Sequence, residues 1–128
     1  MGPTQLFVLI LIVHFLADFA LQTHDQASLK STSNKWLLYH VGTYTMVWAI
    51  VYFILPLQGD FNSPLGWLAF VTFIGSTHFI TDWLTSRVGK PFWEKKDLHN
   101  GFVVVGFDQV IHYLCLWYVV GKFVGIIN

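Results

Sequence analysis

Four long apolar runs alternate with three short polar stretches along the chain. The runs cover about residues 4–22, 36–56, 65–86 and 102–126, each close to the roughly 20 residues that an α-helix needs to cross a bilayer. They predict an all-α, polytopic membrane protein, a single domain over residues 1–128 with four transmembrane helices in a compact bundle. The connections are then about 13, 8 and 15 residues long. Pro56 and Pro64 flank the second, and Pro91 falls in the third, where it should interrupt a helix. Asn100 and Gly101 read as the start of the fourth helix. The first run has no Lys or Arg before His14, so it lacks the positive flank of a cleaved signal peptide and reads as a retained helix.

The apolar pattern is broken at positions that share a rule. His14 and Asp18, His78 and Asp82, and Asp108 and His112 are pairs at i,i+4, so each pair occupies one helix face. The first two pairs belong to a repeated hexapeptide, HFLADF from His14 and HFITDW from His78, offset by half the chain. That repeat points to a 2+2 duplication of the parallel type. The third pair is reversed, and its helix runs opposite to the other two. At about 1.5 Å per residue, all three aspartates then lie about 6–9 Å inside one end of the bundle, and all three histidines about 12–15 Å. His40 enters from the same end at about 6 Å. Gln22 continues the His14–Asp18 face, and Gln109 adjoins Asp108.

Composition narrows the class. The chain is 55% hydrophobic and only 11% charged, against about 25% charged residues in soluble domains. Its formal net charge is zero and its seven basic residues are scattered, which excludes a nucleic-acid surface. Cys115 is the single cysteine, so no disulfide framework or cysteine zinc motif exists within one chain. Lys30, Lys35, Arg87, Lys90, Lys95 and Lys96 fall in the first and third connections, and Lys122 lies near the C-terminal end. This bias predicts that connections one and three are cytoplasmic and both termini are outside.

Carboxylates in lipid need a compensating charge. A central Asp costs about 2.5–3.5 kcal/mol on insertion scales, and the apolar spans hold no Lys or Arg at that depth. Two rescues remain within the spans: pairing with protonated histidine, or a cation. A divalent ion suits imidazole and carboxylate together, with zinc, iron or manganese as the candidates. His14, Asp18, His78, Asp82, Asp108 and His112 are the expected metal ligands, enough for one octahedral site or two bridged ions. Two ions would leave one net positive charge, suited to an anionic substrate. Asp18, Asp82 and His40 are the expected acid–base residues, with Gln22, His40 and Gln109 supporting the ligands. His24 and His99 read as solvated loop residues.

Three functions fit this pattern. The first is a metal-dependent hydrolase acting on a lipid or headgroup, with an anionic lipid or other phosphate-containing substrate as the expected partner. The second is a proton or divalent-metal transporter or channel, since intramembrane Asp and His form relays. Against it, the polar residues stop halfway across. The third is a structural or regulatory envelope protein whose cluster only holds the bundle. Membrane lipids surround the chain in all three, and Gly42, Gly75, Gly106 and Gly121 would permit close helix contacts within a chain or in a homo-oligomer.

HFLADFALQ from His14, the leucine-containing stretch ending at His40, HFITDW from His78 and FDQVIH from Phe107 together resemble the domain of unknown function 3307 family. The resemblance covers nearly the whole chain. It implies a compact helical protein of the bacterial inner membrane, of bacterial or phage origin, with clustered polar residues. It implies no activity. A looser similarity, at the level of His and Asp on short helices, is to membrane-bound metal-dependent hydrolases.

Overall fold

Helix α1 spans Pro3–Phe15, with proline in its first turn and the Gly2 amide donating to Gln5 Oε1 at 2.8 Å. A wider turn, Leu16–Ala20, extends it: the Leu21 amide reaches back five residues to the Leu16 carbonyl, a π-helical closure. A short helix, α2, follows over His24–Leu29. Helix α3 covers Asn34–Val51 and runs into a 3₁₀ turn at Tyr52–Ile54. Helix α4 covers Pro64–Glu94 and helix α5 covers Leu98–Phe123. This computed structural model describes residues 1–128, all helices and connections without a strand.

Four of these elements are long and apolar enough to cross a membrane: Pro3–Ala20, Asn34–Ile54, Pro64–Glu94 and Leu98–Phe123. They pack cyclically, the π turn that extends α1 against α3, α1 against α5, and α4 against α3 and α5, with α2 laid on α3. The outward faces are apolar, as lipid requires: Leu65 is 76% exposed, Phe53 74% and Met46 65%.

Each helix buries one stripe at spacings of three and four, and every stripe changes character along its length. In α1 it passes from Leu6 and Ile10 to His14, and then to Asp18 in the π turn. In α3 it passes from His40 and Tyr44 to Trp48 and Val51. In α4 it passes from Phe70 and Ile74 to His78 and Asp82. In α5 it passes from His112 to Leu116, Val120 and Phe123. Alternating helix direction brings the polar ends together. The other end is a packed core that includes Leu6, Ile10, Trp48, Tyr52, Phe70 and Phe123.

Several boundaries differ from the hydropathy reading. Helix α4 does not stop near residue 86 or at Pro91, but continues to Glu94 with Pro91 inside it. At about 1.5 Å per residue α4 is about 46 Å long, well beyond the roughly 30 Å that a hydrocarbon core requires. Pro91 has no N–H to give the Arg87 carbonyl, and the helix ends one turn after it. Helix α5 starts at Leu98, not Gly101: Asp97 caps it, its carboxylate accepting from the Asn100 amide at 3.2 Å. The third connection therefore shrinks from about 15 residues to Lys95–Asp97, and Lys96 adopts a left-handed φ of 56° to make the turn. The first connection is not plain loop. Thr23 and Gln26 form a capping box that starts α2: the Gln26 amide donates to Thr23 Oγ1 and the Thr23 amide to Gln26 Oε1. The repeated hexapeptide also differs in backbone, since Asp18 lies in a π turn and Asp82 in regular helix.

Candidate metal centre

Seven of the residues expected from sequence meet at one end of the bundle: His14, Asp18, His40, His78, Asp82, Asp108 and His112. All but Asp108 are buried, and its side chain is 13% exposed. Three overlapping groups bring ligand atoms close enough to surround an ion: Asp18, His40, His78 and Asp82; His14, Asp18 and His112; and Asp82, Asp108 and His112. These residues could hold a metal ion.

His40 lies at the centre. Its Nε2 is 3.0 Å from Asp18 Oδ1, 3.2 Å from Asp82 Oδ2 and 3.1 Å from His78 Nε2. His78 Nε2 is in turn 3.5 Å from Asp18 Oδ1 and 3.8 Å from Asp82 Oδ1. Histidine 112 adds a further donor. Its Nδ1 donates to the Asp108 carbonyl at 2.9 Å, so in the neutral ring Nε2 carries the lone pair, and that atom faces Asp82 Oδ1 at 3.3 Å. Two acceptors cannot satisfy each other. The contact calls for a proton on Nε2 or a cation beside both atoms. Asp82 Oδ1 and His112 Nε2 are both buried without a hydrogen-bond partner, and Asp18 Oδ1 faces the Nε2 atoms of His40 and His78.

His14 is placed differently. Gln109 donates its amide nitrogen to Asp108 Oδ2 at 3.0 Å and to Asp18 Oδ2 at 3.3 Å, which fixes the direction of the amide. Its Oε1 must then accept from His14 Nε2, at 2.8 Å. The other nitrogen, Nδ1, accepts from the Tyr44 hydroxyl at 3.1 Å. Both ring nitrogens of His14 are engaged, whereas His40, expected beside the ligands, sits among them. Gln22 lines the approach with its Oε1 buried and unpartnered. His24 and His99 are exposed.

Three contributors escaped the sequence reading. Tyr44 is fully buried, stacks on His78 with ring centroids 3.6 Å apart, and orients His14. It lies four residues after His40, so the i,i+4 rule would have found it. Thr85 donates to Asp108 Oδ1 at 2.5 Å from the turn after Asp82. Lys30 is the largest departure. The spans hold no cation at this depth, but Lys30, just after α2, reaches in from the connection and places Nζ 2.7 Å from Asp82 Oδ2 and 3.4 Å from His40 Nε2. Burial works against its ammonium, but the carboxylates of Asp82 and Asp18 outweigh that, and its pKa is raised. With neutral imidazoles, the three aspartates and Lys30 leave two negative charges, which one divalent ion would cancel.

A cavity of about 560 Å³ leads to the cluster. Asp18, Asp82 and Asp108 line its floor, and Lys30, Lys90 and Glu94 its outer part. Its size is within the range of small-molecule sites.

No curated protein and no solved structure matches this chain. A family model does, over residues 6–127, and with that match spanning the four helices and every residue of the cluster, the chain belongs to the family described as protein of unknown function (DUF3307).

Proposed function

We propose that this protein is a metal-dependent hydrolase that cleaves an ester or phosphoester of an amphiphile at headgroup depth. The observation that carries the reading is the meeting of buried ligand atoms beside an open cavity: Asp82 Oδ1 and His112 Nε2 lie 3.3 Å apart without a hydrogen-bond partner, and Asp18 and Asp82 line the cavity. Acceptors turned towards one another in a low-dielectric interior are what a cation site needs and what a purely structural cluster avoids. Asp18, His40, His78 and Asp82 would hold the ion, with His112 completing the set. Zinc, iron and manganese all suit these ligands. His14, tied by Tyr44 and Gln109, would orient Asp18 rather than bind.

A bound ion supplies acidity to water and charge stabilisation to a phosphoryl or carbonyl oxygen. Asp108 is positioned to handle the proton: it lines the cavity, and Thr85 and Gln109 hold its two oxygens. Water adds to the phosphorus or carbonyl carbon, and Asp108 takes its proton. The bond to the leaving oxygen breaks, and that oxygen receives the proton. The excess of basic residues in the first and third connections supports a cytoplasmic position for this end of the bundle, at the inner leaflet.

Transport is the weaker reading, because the opposite half of the bundle is closed by Trp48, Tyr52, Phe70 and Phe123. Elemental analysis of the detergent-purified protein tests the proposal, together with hydrolysis of alkyl phosphoesters and carboxyl esters. Wild type should retain a divalent ion and turn over one class, and Asp82→Asn should lose both. A folded wild-type protein that binds no divalent ion and cleaves neither class refutes it.

A further inference from the structure

Donors in the outer cavity are left over once the cluster is satisfied. An ammonium has three N–H groups. Two of those on Lys30 are directed at Asp82 and His40, and its side chain, 22% exposed, lines the cavity. One turn beyond Asp82 on the same face of α4, the Ser86 hydroxyl is buried without a partner, and Lys90, paired with Glu94 at 3.5 Å, follows one turn later. An ammonium and an unused hydroxyl above a cation site form a receptor for a multiply charged oxyanion.

The wall beside these donors is apolar. Helix α2 is fastened to α3, where Gln26 donates to Thr43, and to the cluster through Lys30. No hydrogen bond joins it to α5. Between them the cavity is lined by Phe19 and Ala27 on one side and Val104 and Val105 on the other. Phe19 is 42% exposed, so this seam opens on the outside of the bundle.

We propose that the cavity takes a phosphate-headed, single-chain amphiphile, its phosphate on Lys30 and Ser86 and its chain leaving between α2 and α5. The inference deepens the hydrolase reading and rests on it for the ion, though not for the cavity. A free phosphate would meet the same donors but would make no use of the seam.

Calorimetric titration in non-ionic detergent, with saturating Mn²⁺ and empty micelles subtracted, separates the two sources. Decyl phosphate should bind at least ~10-fold tighter than inorganic phosphate, the equivalent of two buried methylenes. Val105→Trp should remove that advantage and leave inorganic phosphate binding intact, with Val104→Phe as the second variant should the first not fold. Lys30→Gln should weaken both ligands by about 10-fold, the loss of one charge-assisted contact. Equal affinity for the two ligands, no binding of either, or indifference to Lys30→Gln overturns the inference. The same titrations without Mn²⁺ distinguish it from the reading above. Chain phosphate that binds to a protein taking up no divalent ion upholds the receptor and removes the metal hydrolase. An ion that binds while phosphate does not overturns the receptor alone.

Discussion

Replacing Lys30 by methionine removes the one cation that reaches the buried carboxylates while keeping the length and apolar stem of the side chain. Lys30 Nζ is 2.7 Å from Asp82 Oδ2, and Asp82 is 2% exposed. Breaking a buried pair from one side costs about 3–5 kcal/mol, and the partial exposure of Lys30 favours the lower end. A bound divalent ion changes that cost, because it neutralises the same carboxylate and repels the ammonium. Unit charges about 4 Å apart interact by about 1 kcal/mol in water and about 4 kcal/mol at an effective dielectric near 20, and a divalent ion doubles both. Taking the lower figure, lysine and ion oppose each other by about 2 kcal/mol, or ~30-fold in affinity. The coupling is reciprocal. Lys30→Met should therefore bind Mn²⁺ or Zn²⁺ about 30-fold more tightly than wild type, and should lose about 3 kcal/mol of stability in chelator but only about 1 kcal/mol with the ion bound. Isothermal titration gives the first quantity and denaturant unfolding in detergent, with and without ion, the second. Unchanged or weaker ion binding, or equal destabilisation in both conditions, would refute Lys30 as the counter-cation of this site.

Two other expectations follow from single contacts. Tyr44→Phe removes the hydroxyl that donates to His14 while preserving the stack on His78, and should cost about 0.6–1.7 kcal/mol, the range for interhelical hydrogen bonds in membranes. Thermal unfolding checks this, and a variant as stable as wild type would remove Tyr44 from the network. Asp97 caps α5, and the Asn100 side chain, followed by its backbone amide, lowers the Asp97 pKa below its ordinary value. Its contribution is complete above the unfolded-state pKa and disappears as pH falls through the lower folded-state value. Asp97→Ala should melt below wild type at neutral pH, with the gap closing in acid. A gap independent of pH would show that the carboxylate does not act as a charged cap.

Much of the architecture was open to a reading of the chain alone. A lipid environment forces helices with apolar exteriors, so four runs of sufficient length already set the class of fold and number of spans. The i,i+4 pairs and alternating direction of the helices were also enough to bring His14, Asp18, His78, Asp82, Asp108 and His112 to one end. Those are one-dimensional properties: depth follows from position along a helix, and face from its period. What depth and face leave open is which atoms meet, and that was decided in three dimensions. His40 lies among the carboxylates because α3 stands between α1 and α4, and His14, though 3.5 Å from Asp18, has both its nitrogens engaged by Tyr44 and Gln109. Lys30 belongs to no span, and nothing in hydropathy says that a lysine in a connection will fold back inside. Its place follows from the short helix started by Thr23 and Gln26, which lies on α3 and delivers the ammonium to Asp82. Burying polar groups costs free energy, and the chain offsets that cost with whichever partner the packing brings within reach. The pattern along the chain thus determines which residues share a depth, and the packing determines their partners.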